Sequence, residues 1–115
     1  MIPFIDLKAQ QKLIRQKIDE RIKIVLDHGQ YILGQEVKEL ERKLSIYTNS
    51  EFVLCCSSGT DALLLALLGL KLKAGEGVIV PAFSFASSAE VMPLLGAIPI
   101  FTDIENDTFN LDPSK

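Results

Sequence analysis

Apolar residues fall in two rhythms along this chain, and the change of rhythm comes near Phe52. Between Lys8 and Asp27, Ile14, Ile18, Ile22 and Val25 recur at spacings of four, four and three. Such spacing lines one face of an amphipathic helix. His28-Gly29-Gln30 ends it, and Tyr31-Ile32-Leu33-Gly34 reads as a short connector. From Gln35 to about Tyr47 a second helix puts Val37, Leu40, Leu44 and Tyr47 on one face, leaving Glu36, Lys38, Glu41 and Arg42 in water.

Beyond Phe52, short apolar runs alternate with helical stretches. Phe52 to Cys56 reads as a first strand and Thr60 to about Leu70 as a helix. Val78 to Val80 is a second strand, stopped by Pro81. Ser84 to about Leu95 is another helix, interrupted late by Pro93, and Ala97 to Phe101 is a third strand. This alternation predicts an α/β layer with a mainly parallel sheet and flanking helices. The expected organisation is a helical arm and connector over 1–33, followed by the α/β part over 34–115.

Composition narrows the class. The chain has 115 residues, 48% hydrophobic and 23% charged, with a formal net charge of −3, enough for one domain with a modest core. Its 12 Lys and Arg are scattered, which argues against a nucleic-acid partner. The apolar run Ala62 to Leu72 is broken by Gly69 and Lys71 and is too short to cross a bilayer. No basic-then-apolar leader follows Met1, so the expected location is cytoplasmic. Cys55 and Cys56 are adjacent, on opposite faces of the expected first strand, and read as small core residues of a reducing compartment rather than metal ligands.

Candidate chemistry lies at Ser57-Ser58-Gly59-Thr60-Asp61, where the first apolar run meets the helix ALLLALLGL. A helix N-terminus presents unpaired N–H groups and the positive end of the macrodipole, and Gly59 allows close approach by an anion. The turn can therefore be a phosphate cradle. It can equally be an ordinary strand-to-helix turn in which Ser58 or Thr60 only caps the helix. Neither a Gly-rich dinucleotide fingerprint nor a Walker lysine accompanies it, which disfavours an independent nucleotide-binding module.

Three blocks decide between these readings: GQYILGQEVKELERKLSIY, SSGTDALLLAL, and VIVPAFSFASSAEVMPLLGAIPIFTDIENDTFNLDP. In that order, from about Gly29 to Pro113, they resemble the opening of the DegT/DnrJ/EryC1/StrS family of pyridoxal-phosphate-dependent sugar aminotransferases of fold type I. One departure is Gly75-Glu76-Gly77, where the family usually has Gly-Asp-Glu.

The resemblance implies that these residues are the first part of the cofactor-binding large domain, incomplete, with the chain an N-terminal portion of a longer enzyme. It implies that Gly59 and Thr60 hold the cofactor phosphate and that Phe85, rather than Phe83, stacks on the pyridine ring. Asp6, Gln30, Tyr31, Ile32 and Ser58 would contact the substrate. The lysine that binds the cofactor covalently, and the carboxylate that keeps its ring nitrogen protonated, are expected beyond Lys115. No catalytic residue is therefore expected here, and these 115 residues alone should be inactive. The implied partners are glutamate, a nucleotide-linked keto sugar and a second copy of the chain. FIDLKAQQ, GQYILG and GTDALLLAL look closest to members acting on UDP-linked 3-keto sugars of surface polysaccharides. The other reading is a non-catalytic product with a structural, assembly or regulatory role.

Overall fold

The computed structural model describes residues 4–115. They divide into two compact units, one ending at Cys55 and the other running from Cys56 to Lys115. In the first unit the two N-terminal helices are tied to each other by an Arg21–Glu39 ion pair and a His28–Glu36 hydrogen bond.

In the first unit, α1 (Leu7–His28) starts where Asp6 accepts a hydrogen bond from the Ala9 amide at 3.0 Å. It ends on Gly29, whose φ of 69° is the left-handed cap that glycine adopts without steric cost. α2 (Gln35–Thr48) closes on Asn49 in the same conformation. Arg21 of α1 meets Glu39 of α2 at 3.0 Å, and Lys43 meets the same carboxylate at 2.7 Å. The expected apolar stripe of α1 is half-covered at Ile18 and Val25, whereas Ile14 and Ile22 remain exposed. Glu36 and Glu41 are not wet as expected: both are half-buried, because each carboxylate is drawn into hydrogen bonds within the unit.

The second unit contains α3 (Gly59–Gly69), β1 (Gly77–Pro81), α4 (Ser87–Leu94) and β2 (Ile98–Thr102). β1 and β2 pair in parallel, with Val78 opposite Pro99 and Val80 opposite Phe101. A parallel pair needs a crossover, and α4 supplies it. α4 packs on the Val78–Val80 face. Val80, Val91, Met92 and Ala97 form the core, with Leu64, Leu67 and Leu72 against it. The other face of the pair carries Ile79, Ile98 and Ile100, all at least half exposed.

Gly96 joins α4 to β2 at a φ of 71°. Its amide bonds to the Pro93 carbonyl and the Ala97 amide to the Met92 carbonyl, the paired bonds of a Schellman cap. Pro93 lies inside α4, in its last turn, where its missing N–H cannot complete a helical bond to the Ala89 carbonyl. At the Gly75-Glu76-Gly77 departure, a Cβ on Gly77 would displace the end of the half-exposed Ile100 side chain on the neighbouring strand.

Three further expectations fail. Phe52 to Cys56 forms no strand: Phe52 and Leu54 are 82% and 76% exposed, and the Cys55 amide donates to the Glu41 carboxylate at 2.8 Å. A strand satisfies its backbone only through a neighbour, and the sheet among the described residues is built in the other unit. Cys55 is accordingly half-buried and Cys56 exposed, rather than both lying in a core. The helix expected from Ser84 begins instead at Ser87, because the Phe85 carbonyl accepts from both the amide and the hydroxyl of Ser88.

Candidate functional site

α3 begins with Ser58 in an extended conformation, its hydroxyl oxygen accepting from the Asp61 amide at 3.1 Å and its carbonyl from the Ala62 amide at 3.0 Å. The cap thus takes up the N–H groups of Asp61 and Ala62. Those of Gly59 and Thr60, in the first turn, have no carbonyl within the helix to bond. Ser57 donates its hydroxyl to the Asp61 carboxylate, turning that negative charge toward the preceding residue.

Gly59 requires neither a positive φ nor room for a neighbour: a Cβ there would meet nothing within 4 Å. The fold of this chain therefore does not explain the glycine, whereas close approach by an external group would. Thr60 is half-buried, and its hydroxyl bonds to nothing among the described residues. Ser58 spends its oxygen as an acceptor but keeps a hydroxyl proton to donate. Two backbone donors, a free threonine hydroxyl and a helix N-terminus suit a dianionic phosphate. The residues present fit the phosphate of pyridoxal phosphate.

Phe85 lies just after β1, where α/β folds commonly bind ligands outside the carboxyl ends of their strands. Its ring is 78% exposed and, with Ala82, Ser84, Phe101 and neighbouring residues, lines a cleft of about 390 Å³. Phe83 instead faces Phe109, ring centroids 6.0 Å apart. Both rings are largely exposed, Phe83 at 70%, and they differ in that Phe83 has an aromatic neighbour whereas Phe85 lines the cleft. α3 packs on α4, so the Ser58–Thr60 turn and the Phe85 turn belong to one unit.

The remaining expected substrate contacts lie in the other unit. Asp6 is exposed and commits one oxygen to the α1 cap. Gln30, Tyr31 and Ile32 form an exposed turn between α1 and α2. His28 closes α1. The structure shows more: its Nδ1 accepts the Gln30 amide at 3.0 Å, and its Nε2 lies 3.2 Å from the Glu36 carboxylate. Glu36 is held below the ordinary carboxylate value, first by its own backbone amide and then by His28. The signal for this role was the two-residue spacing from His28 to Gln30. Among the described residues, no group of three or more His, Cys, Asp or Glu side chains could hold a metal ion, and no helix is long and apolar enough to cross a membrane.

This is the start of an α/β layer with an anion-receptive helix terminus and an open aromatic face beside a strand end. The model of the DegT/DnrJ/EryC1/StrS aminotransferase family matches residues 12–115, and the chain belongs to that family. UDP-2-acetamido-2-deoxy-3-oxo-D-glucuronate aminotransferase of Pseudomonas aeruginosa is 49% identical to it over 113 residues, 98% of this chain and 32% of that protein. A family aminotransferase from Brucella abortus superposes with a TM-score of 0.93 at 43% identity, covering 97% of this chain and 30% of the other. NtdA of Bacillus subtilis, with its cofactor PMP bound, superposes at 0.90 and 34% identity, covering 99% of this chain and 26% of NtdA. The chain thus spans about a third or less of the length of these relatives.

Proposed function

We propose that these 115 residues form the phosphate-holding part of a pyridoxal-phosphate-dependent aminotransferase that moves an amino group from glutamate to a nucleotide-linked keto sugar. The observation that carries this reading is the start of α3, with two backbone donors, a glycine left open and an unbonded threonine hydroxyl. The family membership gives that anion site a cofactor, and the Pseudomonas relative's name gives a substrate class, a UDP-linked 3-oxo sugar. The same reading includes a cytoplasmic homodimer making amino sugars for surface polysaccharide.

When bound, pyridoxal phosphate supplies an electron sink that lets an amino group pass between an amino acid and a carbonyl carbon. The roles assigned to this chain are binding and orientation. Gly59 and Thr60 receive the phosphate through their amides, and Thr60 adds its hydroxyl, each charge-assisted bond contributing about 1.5–3 kcal/mol. Phe85 offers its ring to the pyridine, an offset stack of about 1 kcal/mol. Ser58 turns its free hydroxyl proton toward the sugar. Gln30, Tyr31 and Ile32, with the uncommitted oxygen of Asp6, are assigned to the sugar substrate.

In the complete protein, Thr60→Ala should release pyridoxal phosphate faster, since a phosphate oxygen left without its donor costs about 1–3 kcal/mol. Loss of the cofactor absorbance during dialysis measures this. Equal release from the variant and the parent would remove the phosphate assignment.

A further inference from the structure

The α1–α2 turn is held by a relay of hydrogen bonds through one imidazole. A backbone amide can only donate, so the 3.0 Å contact from Gln30 N to His28 Nδ1 requires a bare lone pair on Nδ1. The proton of the neutral ring then sits on Nε2, aimed at Glu36 Oε1 3.2 Å away. Glu36 anchors the relay in the first turn of α2, where Gly34 provides no side-chain cap.

What this relay restrains is a strained and crowded turn. Leu33 has a φ of 50°, in the left-handed region that costs a non-glycine residue energy. Gly34 is buried, and a Cβ on it would stand 2.6 Å from the Gln30 carbonyl oxygen. The Gln30 peptide is thus fixed on its N–H side by His28 and crowded on its C=O side by Gly34. Between them, Tyr31, Ile32 and Leu33 stand 69%, 86% and 70% exposed. Three apolar side chains in water on so constrained a turn mark a segment shaped for presentation rather than for local packing.

We propose that His28, neutral and protonated on Nε2, is a positioning residue that sets the Gln30–Ile32 turn through its Nδ1 lone pair, with Glu36 fixing the tautomer. Calling that turn a sugar-contacting element rests on the proposed function. The relay itself does not. Asn and Gln separate the two halves of the imidazole: in His28→Asn the amide oxygen can stand in for Nδ1, while in His28→Gln the amide nitrogen can stand in for Nε2.

The test is nitrogen NMR on the 15N-labelled 115-residue protein at neutral pH, with amide exchange read at Gln30. The expected result is an unprotonated Nδ1 and a protonated Nε2. Gln30 exchange should rise about tenfold in His28→Gln and stay near the parent rate in His28→Asn, the factor one hydrogen bond provides. A proton on Nδ1 in the parent, or equal release of Gln30 in both variants, would overturn the proposal. Should both variants fail to fold, the tautomer of the parent still decides it. All these readouts come from the turn, so they stand or fall separately from sugar binding by the complete protein.

Discussion

Two glycines with opposite requirements define this chain at the residue scale. Gly96 is needed by the fold: its φ is 71°, and a Cβ would stand 2.9 Å from that of Ala74. Gly59 has open space and no such backbone demand. Gly96→Ala should therefore destabilise the second unit by about 1–3 kcal/mol, through both backbone strain and crowding. Gly59→Ala should leave stability unchanged or raise it by up to about 1 kcal/mol, since alanine favours a helix. Under the proposed function it should nevertheless weaken cofactor retention in the complete protein. Urea denaturation of the two variants, with cofactor release measured alongside, separates them. Gly59→Ala proving as costly to the fold as Gly96→Ala would show that the open space at Gly59 has been misread.

Among elements, α1 and α2 are joined by carboxylates, Glu39 to Arg21 and Glu36 to His28. Glu36 is held below the ordinary value of 4.5 by its own amide and by His28, and Glu39 by Lys43 and Arg21. A carboxylate depressed in the folded state stabilises it at pH above the unfolded value. That contribution disappears as pH falls through the depressed value. Exchange protection in α2 should therefore hold at neutral pH and fall below about pH 4.5. It should fall less in a Glu36→Gln, Glu39→Gln double variant, which starts lower because it lacks both carboxylates. Parallel acid profiles for parent and variant would show that these pairs, exposed to screening, contribute nothing measurable.

At the scale of the whole molecule, apolar surface is the dominant fact. α3 is hydrophobic on more than one side: Leu64 and Leu67 meet the core, while Leu63, Leu65 and Leu68 are 41%, 44% and 51% exposed. The Ile79, Ile98 and Ile100 face of the strand pair is also bare. Parallel sheets are normally covered on both faces, and exposed apolar patches and strand edges tend to pair with another chain. Sedimentation of the 115-residue chain at about 10–100 μM, a range in which exposed apolar surface associates, should show dimers or larger species. A compact monomer would contradict this. The same chain should not transfer amino groups from glutamate to a nucleotide keto sugar, because holding a phosphate stabilises no carbanion. Turnover by the pure 115-residue polypeptide would overturn that expectation.

The sequence by itself determined what depends on near neighbours. Helical spacing placed α1, α2 and α3 within a residue or two, Gly29 marked the end of α1, and Ser58-Gly59-Thr60 marked a helix start. The three motif blocks carried the family, since a string of side chains in order survives without coordinates. Tertiary structure decided what depends on distant partners. Phe52 to Cys56 has a strand's composition but pairs with no neighbouring strand, so Phe52 and Leu54 stay in water. Phe83 and Phe85 are two residues apart and equivalent by composition, and only the fold sets Phe83 beside Phe109 and Phe85 along the cleft. The sequence puts His28 at a helix end, and folding brings the Gln30 amide and the Glu36 carboxylate to its two nitrogens. Propensity is written in each residue, whereas a ladder, a ring contact or a tautomer requires a second group that only the folded chain delivers.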